Sequence, residues 1–404
     1  MRKLFVALLF ICVVLILASF YLNGYRRTWR QIWNLQTYSS PFLDMRVITG
    51  SAESLAAGYD PYINNPYDPL HRLFNYPLIW HVVLKSGINL HWTNPLAVIC
   101  IALFFLGLAL FPGKLTYPAI ILLLLITFSP AVMLGVERGN VDLVFFFLIS
   151  IALILVEISN LAALLLLLLG VLFKLYPVFS LGLFLDVKKK DYLKYILLVI
   201  AFAGLYLTLM FSDMVIIFRN TPKDDFLSYG VTALSTHLFN LYHFRYITIS
   251  TILYLFSGVL VLLSLYFGIR NDIGRFSSHL RNLRSFWAGA GIYIGTFLLG
   301  NNYDYRLMFL LFTIPQLVEW SVQKNYNLRW AHIALVTSIL SSWYSVILGF
   351  FSGSLPNGDS VVFYLNQLIN WILFVALSYL FIASLPSWMF SHVGWKKIPP
   401  FDAV

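Results

Sequence analysis

The sequence contains little charge. Only 11% of its 404 residues are Asp, Glu, Lys or Arg, whereas 60% are hydrophobic and the mean hydropathy is +0.81. Soluble domains carry about 25% charged residues, because polar side chains must cover their surface. This scarcity excludes a soluble enzyme, a disordered chain and a nucleic-acid-binding module.

Cysteine is equally scarce. The two cysteines, Cys12 and Cys100, both lie inside apolar runs. A disulfide framework, a thiolate metal site and a cysteine nucleophile all need more cysteine or a different setting. The pattern therefore argues against all three.

What the sequence does contain is about a dozen apolar runs, each near the ~20 residues that cross a bilayer as a helix. We predict an all-α integral membrane protein, a single polytopic bundle of about 12 transmembrane helices over residues 1–404. The first span, 4–22, is expected to be a retained helix rather than a cleaved signal. The others are expected at 95–111, 117–134, 142–156, 161–174, 177–187, 192–212, 247–268, 285–300, 306–321, 329–351 and 362–386. The stretch 161–187 could also cross once, since Lys174 and Pro177 interrupt it.

Four basic clusters account for much of the net charge of +10 without a nucleic-acid partner. Cytoplasmic loops of membrane proteins are enriched in Lys and Arg, so we place all four clusters on the cytoplasmic side. The clusters are Lys188, Lys189, Lys190 and Lys194; Arg270, Arg275, Arg281 and Arg284; Lys324 and Arg329; and Lys396 and Lys397.

This topology leaves two long polar segments on the outer face, 23–94 and 213–246. In the first, apolar residues spaced as in a helix predict one over 42–57, lying on the membrane surface and ended by Gly58. Residues 78–84 are too short to span and predict a second interfacial helix. A simple connector would not need more than seventy residues.

Four short motifs occur in order along the chain. The first is Asp44 followed by a small-residue helix and the turn Gly58-Tyr-Asp-Pro-Tyr62. The second is Phe74-Asn-Tyr-Pro77. The third is Gly135-Val-Glu-Arg-Gly-Asn140, followed later by Lys174-Leu-Tyr-Pro177. The fourth is Asn301-Asn-Tyr-Asp-Tyr-Arg306.

In this order the motifs resemble those of the GT-C glycosyltransferases, membrane enzymes that take a sugar from a polyprenyl-phosphate carrier. The resemblance is closest to glycosyltransferase family 87, which includes polyprenyl-phosphate-mannose-dependent mannosyltransferases. The chain departs from the family at Leu78, where a second proline is usual, and at Gly135–Asn140, where G-Q-x-N is common.

The resemblance implies a hexosyltransferase, mannose being the expected sugar, and a single-base mechanism implies inversion at the anomeric carbon. Its partners would be a polyprenyl-phosphate sugar, a lipid- or glycan-linked hydroxyl acceptor and membrane lipids. We expect a monomer in the inner (plasma) membrane with its active site on the extracytoplasmic side. No cofactor other than the lipid-linked co-substrate is expected.

The resemblance assigns Asp44 as the catalytic base. An attacking hydroxyl must lose its proton, and a carboxylate can accept it. From the residues alone, Asp44 could instead cap the helix that follows. Glu137 is an alternative base, although an ion pair with Arg138 would explain it equally well.

The departing lipid phosphate needs fixed cations or donors. We expect Arg306, Lys174, Arg138 and His81 to supply them. Each has a simpler alternative: Lys174 could reach to a membrane interface, Arg306 could pair with Asp304, and His81 could be an interfacial polar tip.

Four residues within the motifs are expected to bind the acceptor or the sugar: Asp60, Tyr76, Asn140 and Asp304. Asp60 could also serve only the Asp-Pro turn. No metal is expected, although Asp224 and Asp225 could supply carboxylate ligands. A membrane transporter or flippase is the leading alternative function; it predicts polar residues at mid-depth and broken helices.

Overall fold

The computed structural model describes residues 1–38, 40–224, 226–273, 277–323, 328–351 and 358–389. The predicted basic residues Arg275, Lys324, Lys396 and Lys397, and also Asp225, lie outside the described residues.

Helices dominate these parts of the chain. The α-helices are α1 (Arg2–Asn23), α2 (Tyr25–Trp33), α3 (Leu43–Ala56), α4 (His81–Leu84), α5 (Thr93–Ala109), α6 (Tyr117–Thr127), α7 (Pro130–Arg138), α8 (Asp142–Leu155), α9 (Asn160–Phe173), α10 (Lys189–Asn220), α11 (Ala233–Tyr242), α12 (Tyr246–Ile269), α13 (Leu280–Leu299), α14 (Ile314–Ser321), α15 (Arg329–Ser342), α16 (Tyr344–Phe351) and α17 (Gly358–Ala383). Short 3-10 helices cover Leu78–Trp80, Leu90–Trp92, Tyr176–Phe184, Asp304–Thr313 and Ser387–Met389. Two short strands, β1 (Ser228–Tyr229) and β2 (Asn302–Tyr303), form one antiparallel pair.

Several helices are long and apolar enough to cross a membrane, which confirms the coarse prediction of an all-α membrane protein. Among the described residues there are five, which lie within α1, Leu90–Ala109, α10, α12 and α17. The bent pairs α6–α7 (50°) and α15–α16 (58°) raise the number to seven if each pair is one span. The apolar helices α8 and α9 are shorter. The predicted number of twelve remains a prediction.

The predicted break within 161–187 is present. Helix α9 ends at Phe173, Lys174 adopts an extended backbone, and a 3-10 helix starts at Tyr176. Lys174 therefore lies at a junction between two helical segments and not inside a continuous helix.

The segment 23–94, predicted to lie on the outer face, contains more structure than its sequence indicates. The helix predicted over 42–57 is confirmed as α3. Other parts of the protein cover this helix, so it does not expose one polar face. Its middle from Val47 to Ala52 is buried. A Cβ atom at Gly50 would lie 2.8 Å from the carbonyl oxygen of Tyr67, so only glycine allows the following loop to pack there. Helix α2, within the same segment, was not predicted.

The segment 213–246, also predicted to lie on the outer face, begins with helix. The candidate span in α10 ends at Phe211, close to the predicted 212, but after the non-helical backbone at Met210 the helix continues to Asn220. Further on, β1 joins β2 through the pairs Ser228–Tyr303 and Tyr229–Asn302. Two-residue strands carry no detectable alternation, so the sequence could not predict this pairing.

The centre of the core is α13. Its small residues Gly289, Gly291 and Gly295 admit close neighbours: a Cβ atom at Gly291 would lie 2.3 Å from the carbonyl oxygen of Phe179. Small residues commonly permit such approach between membrane helices. At one end of the bundle Arg281 pairs with Glu157 and Arg284 with Asp186. These contacts bring two of the predicted basic clusters to the same end.

Candidate active site

A cavity of about 510 Å³ gathers residues that are far apart in the sequence. Its walls come from α3, the loop 70–77, the end of α7, residues 174–176, the last turns of α10, part of α12 and the segment 299–306. Six of the nine predicted site residues line it: Asp44, Tyr76, Arg138, Asn140, Lys174 and Arg306.

Asp44 lies in the first turn of α3, and its carboxylate faces two donors. Arg72 NH1 lies 3.3 Å from Oδ1, and Asn140 Nδ2 donates to Oδ2 at 2.6 Å. The residue at the N-cap position is Phe42, and the helix has no side-chain cap. The alternative that Asp44 caps this helix is therefore not supported. Its side chain is 21% exposed, and an ionised carboxylate has lone pairs beyond those used here.

Arg72 is held from behind by a buried carboxylate. Asp68 is inaccessible and accepts from Arg72 Nε at 3.1 Å and from Arg72 NH2 at 2.8 Å. The same NH2 group donates to the carbonyl of Leu43. Burial acts to lower the pKa of Arg72, but hydrogen bonds and charges from Asp68 and Asp44 outweigh it and raise the pKa. The guanidinium thus stays charged between two carboxylates.

The cationic part of the cavity is organised by Asp142, the first residue of α8. This side chain is inaccessible, and its Oδ1 lies 2.5 Å from Lys174 Nζ while its Oδ2 accepts from Arg306 Nε at 3.2 Å. Arg306 also donates to Asn302 Oδ1. One carboxylate and two cations leave a formal charge of +1. Lys174 and Arg306 both pair with Asp142, so Arg306 does not form the alternative pair with Asp304.

Asn140 connects these two clusters. Its Nδ2 donates to Asp44, and its Oδ1 accepts from the backbone N–H of Asp142 at 2.8 Å. The preceding Gly139 makes this turn possible with a φ of +59°, and a Cβ atom there would lie 2.7 Å from that of Ala97.

Aromatic rings line the same space. The Lys174 ammonium lies 5.2 Å from the centre of the Tyr76 ring, and the Arg306 guanidinium lies 5.1 Å from that of Tyr176. Tyr303 and Tyr305 stack with ring centres 5.5 Å apart. Burial, and then the charge of Asp44, raises the pKa of Tyr76 above its usual value, so this phenol is neutral.

Arg138 lies at the end of α7. Its Nε is 3.2 Å from Oε2 of the buried Glu137, and its guanidinium lies 4.9 Å from the centre of the Tyr38 ring. Glu137 therefore makes the ion pair that the sequence allowed. Of the two, Arg138 lines the cavity.

The three other predicted site residues do not line this cavity. Asp60 accepts from the backbone N–H of Tyr62, as expected for the Asp-Pro turn. Asp304 is buried, with its backbone N–H donating to Leu227. His81 packs against the Tyr62 ring, and burial followed by the charge of Lys85 lowers its pKa. A neutral histidine is a weaker phosphate ligand than the cations around Asp142.

Two central residues were absent from the predicted site. Arg72 lies outside the four motifs, and Asp142 follows the third motif by two residues. The sequence contains one indication for Asp142: an acidic residue at the start of an apolar run costs free energy unless it has a partner. It contains none for Arg72.

No group of three or more His, Cys, Asp or Glu side chains in the described ranges is arranged to hold a metal ion. The expectation of a metal-free site stays a prediction.

Comparisons with protein-family models, curated proteins and solved structures give no match to this chain. The family resemblance therefore rests on the four motifs, and the function rests on the geometry of the cavity.

Proposed function

We propose that this protein is an integral membrane glycosyltransferase of the GT-C type, with about twelve spans. It transfers a hexose, mannose in the first instance, from a polyprenyl-phosphate sugar to a lipid- or glycan-linked hydroxyl on the extracytoplasmic face. The observation that carries the proposal is the single cavity in which Asp44 and the Lys174–Arg306 pair lie on either side of Asn140.

The two clusters match the two requirements of the reaction. The acceptor oxygen attacks the anomeric carbon while its proton passes to Asp44. The bond from that carbon to the phosphate oxygen breaks, and the electron pair leaves with the polyprenyl phosphate. Lys174 and Arg306 stabilise the charge that develops there. Attack opposite the leaving group inverts the anomeric centre.

The charge of the cationic cluster suits the phosphate of this donor. A polyprenyl-phosphate sugar is a phosphodiester with one negative charge, and the cluster around Asp142 has a formal charge of +1. The guanidinium group of Arg306 donates to Asp142 through Nε and to Asn302 through NH1, and its NH2 group would donate to the phosphate.

One wall of the cavity suits a lipid. The end of α10 contributes Met214, Ile217 and Phe218, and Phe218 is also 71% exposed at the outside of the bundle. Apolar residues that reach from the bundle surface into the cavity would let an isoprenoid chain remain in the bilayer while its phosphate reaches Lys174.

The test is transfer of labelled hexose from polyprenyl phosphate in membranes containing wild type or Asp44→Asn. Asparagine keeps the size of the side chain but cannot accept the proton, and removing a general base typically costs 10²–10⁴-fold in rate. The matched control is Asp359→Asn, an exposed acid in the first turn of α17 that lies outside the cavity. Full transfer by Asp44→Asn would refute the role of Asp44, and no transfer by wild type from any polyprenyl-phosphate hexose would refute the function.

A transporter remains the second candidate because of the bent pairs α6–α7 and α15–α16. Helices broken within the membrane are common in transporters. Proteoliposomes distinguish the two functions: a transporter moves solute or lipid across the bilayer without forming a glycosidic bond, and a glycosyltransferase forms the bond in detergent as well.

A further inference from the structure

Helix α2 presents three arginines on one face. Arg26, Arg27 and Arg30 are exposed, whereas Trp29 and Trp33 are buried. At about 100° of rotation per residue the three arginines fall within an arc of roughly 100°. The helix is amphipathic: its buried face contains the two tryptophans, and its exposed face contains the three arginines.

This helix lies at the level of the last turn of a membrane span. Gly24, with a φ of +78°, turns the chain directly after α1. Thr28 Oγ1 then donates to the carbonyl of Ser19 at 3.0 Å, and the Trp29 ring lies 5.3 Å from that of Phe20. Contacts to residues 19 and 20 of a span that ends at Asn23 place α2 at the depth of lipid head groups.

Acidic partners are lacking for this charge in the described part of the chain. The first 43 residues of the sequence contain no Asp or Glu. Arg72, Arg138, Arg281, Arg284 and Arg306 form ion pairs with acidic side chains, and among the described residues no such pair involves an arginine of α2.

We propose that the arginine face of α2 binds the anionic head groups of phospholipids. Basic clusters immediately next to a span are attracted to anionic lipids by about 1 kcal/mol per charge, and guanidinium groups match phosphate oxygens in geometry. The buried face holds the helix in place: Trp33 Nε1 donates to the carbonyl of Phe128 at 2.8 Å, and Tyr25 OH to Glu137 at 3.4 Å. Bound lipid would therefore brace α2 against the bent α6–α7 pair beside the cavity.

The experiment measures phospholipid retention by the purified full-length protein, by native mass spectrometry, during titration with phosphatidylglycerol or with phosphatidylcholine. The variant is Arg26→Gln, Arg27→Gln and Arg30→Gln combined. Each lost charge should weaken binding roughly fivefold, so the tightest phosphatidylglycerol site should weaken on the order of a hundredfold. Replacing the same three residues by lysine should preserve most of the affinity.

The matched control removes three lysines at the start of α10, Lys188→Gln, Lys190→Gln and Lys194→Gln, and should leave this tightest site intact. Three results would overturn the proposal: unchanged phosphatidylglycerol binding by the glutamine variant, equal binding of phosphatidylcholine by wild type, or full competition by inorganic phosphate at the lipid concentration. The measurement does not depend on glycosyl transfer, so it can fail or succeed independently of the proposed reaction.

Discussion

Asp142 should contribute more to the stability of the protein than any exposed acid. Its side chain is inaccessible and contacts both Lys174 and Arg306, whose side chains are 13% and 21% exposed. Asp142→Asn changes little in shape, but it raises the formal charge of the cluster from +1 to +2. Removing one partner of a buried ion pair costs about 3–5 kcal/mol. Since domains are stable by about 5–15 kcal/mol in total, the variant should lose a large share of its free energy of unfolding.

Equilibrium unfolding of wild type and variant in mixed micelles, followed by tryptophan fluorescence, measures this loss. The matched control is Asp191→Asn, which breaks an exposed pair with Lys194 at 3.6 Å. Exposed ion pairs of this kind contribute little to the free energy of unfolding, so the control should unfold as wild type does. If Asp142→Asn lost no more free energy of unfolding than the control, the buried carboxylate would not stabilise Lys174 and Arg306, and the structural role of Asp142 would be refuted.

The same variant tests the proposed phosphate site. A short isoprenyl phosphate that binds between Lys174 and Arg306 supplies the negative charge that Asp142→Asn removes. A ligand at 100 times its Kd stabilises the folded state by about 2.7 kcal/mol, and the variant should gain more of this stabilisation than wild type at equal ligand concentration. Equal or smaller gains by the variant would contradict phosphate binding at these two residues.

Two further substitutions test how the site is held. Arg72→Lys keeps the charge but cannot bridge Asp44 and Asp68, so kcat for transfer should fall roughly 10- to 100-fold with little change in the KM for the donor; an unchanged kcat would rule out a positioning role. Gly230→Ala would place a Cβ atom 1.7 Å from the carbonyl oxygen of Gly300, so the yield of folded protein in detergent should fall sharply. Gly258 has open space around it, so the control Gly258→Ala should express normally.

The class of fold could be predicted from the sequence because its hydropathy signal is summed over many residues. Each span contains many apolar residues, and the period of α3 was visible from Phe42 to Ala57. Features that depend on contacts between distant residues were not predictable. The enclosure of α3 depends on Gly50 against Tyr67, and the β1–β2 pair joins residues more than seventy positions apart.

The candidate site, too, was only partly predictable from the sequence. Asp44 was predicted through the family resemblance of its motif, whereas Lys174 and Arg306 were predicted as ionisable residues at or within apolar runs, which usually face a cavity or a partner. Their partners were not predicted, since Arg72 is an ordinary loop arginine until the fold brings it to Asp44. Asp60 was included because it lies in the first motif, and His81 because it lies on the short predicted interfacial helix. In the structure Asp60 accepts from the backbone N–H of Tyr62, and His81 packs against the Tyr62 ring.

The arrangement around Asn140 explains why the site needs several charged groups and still tolerates them. Under the proposed function, Asp44 accepts a proton while Lys174 and Arg306 attract a phosphate, and direct contact between these groups would neutralise both roles. Asp142 takes up part of the cationic charge, Arg72 holds Asp44, and Asn140 joins the two clusters through one donor and one acceptor without adding charge. A neutral amide at this position therefore lets the proposed base and the proposed phosphate cations lie in one cavity as two distinct clusters.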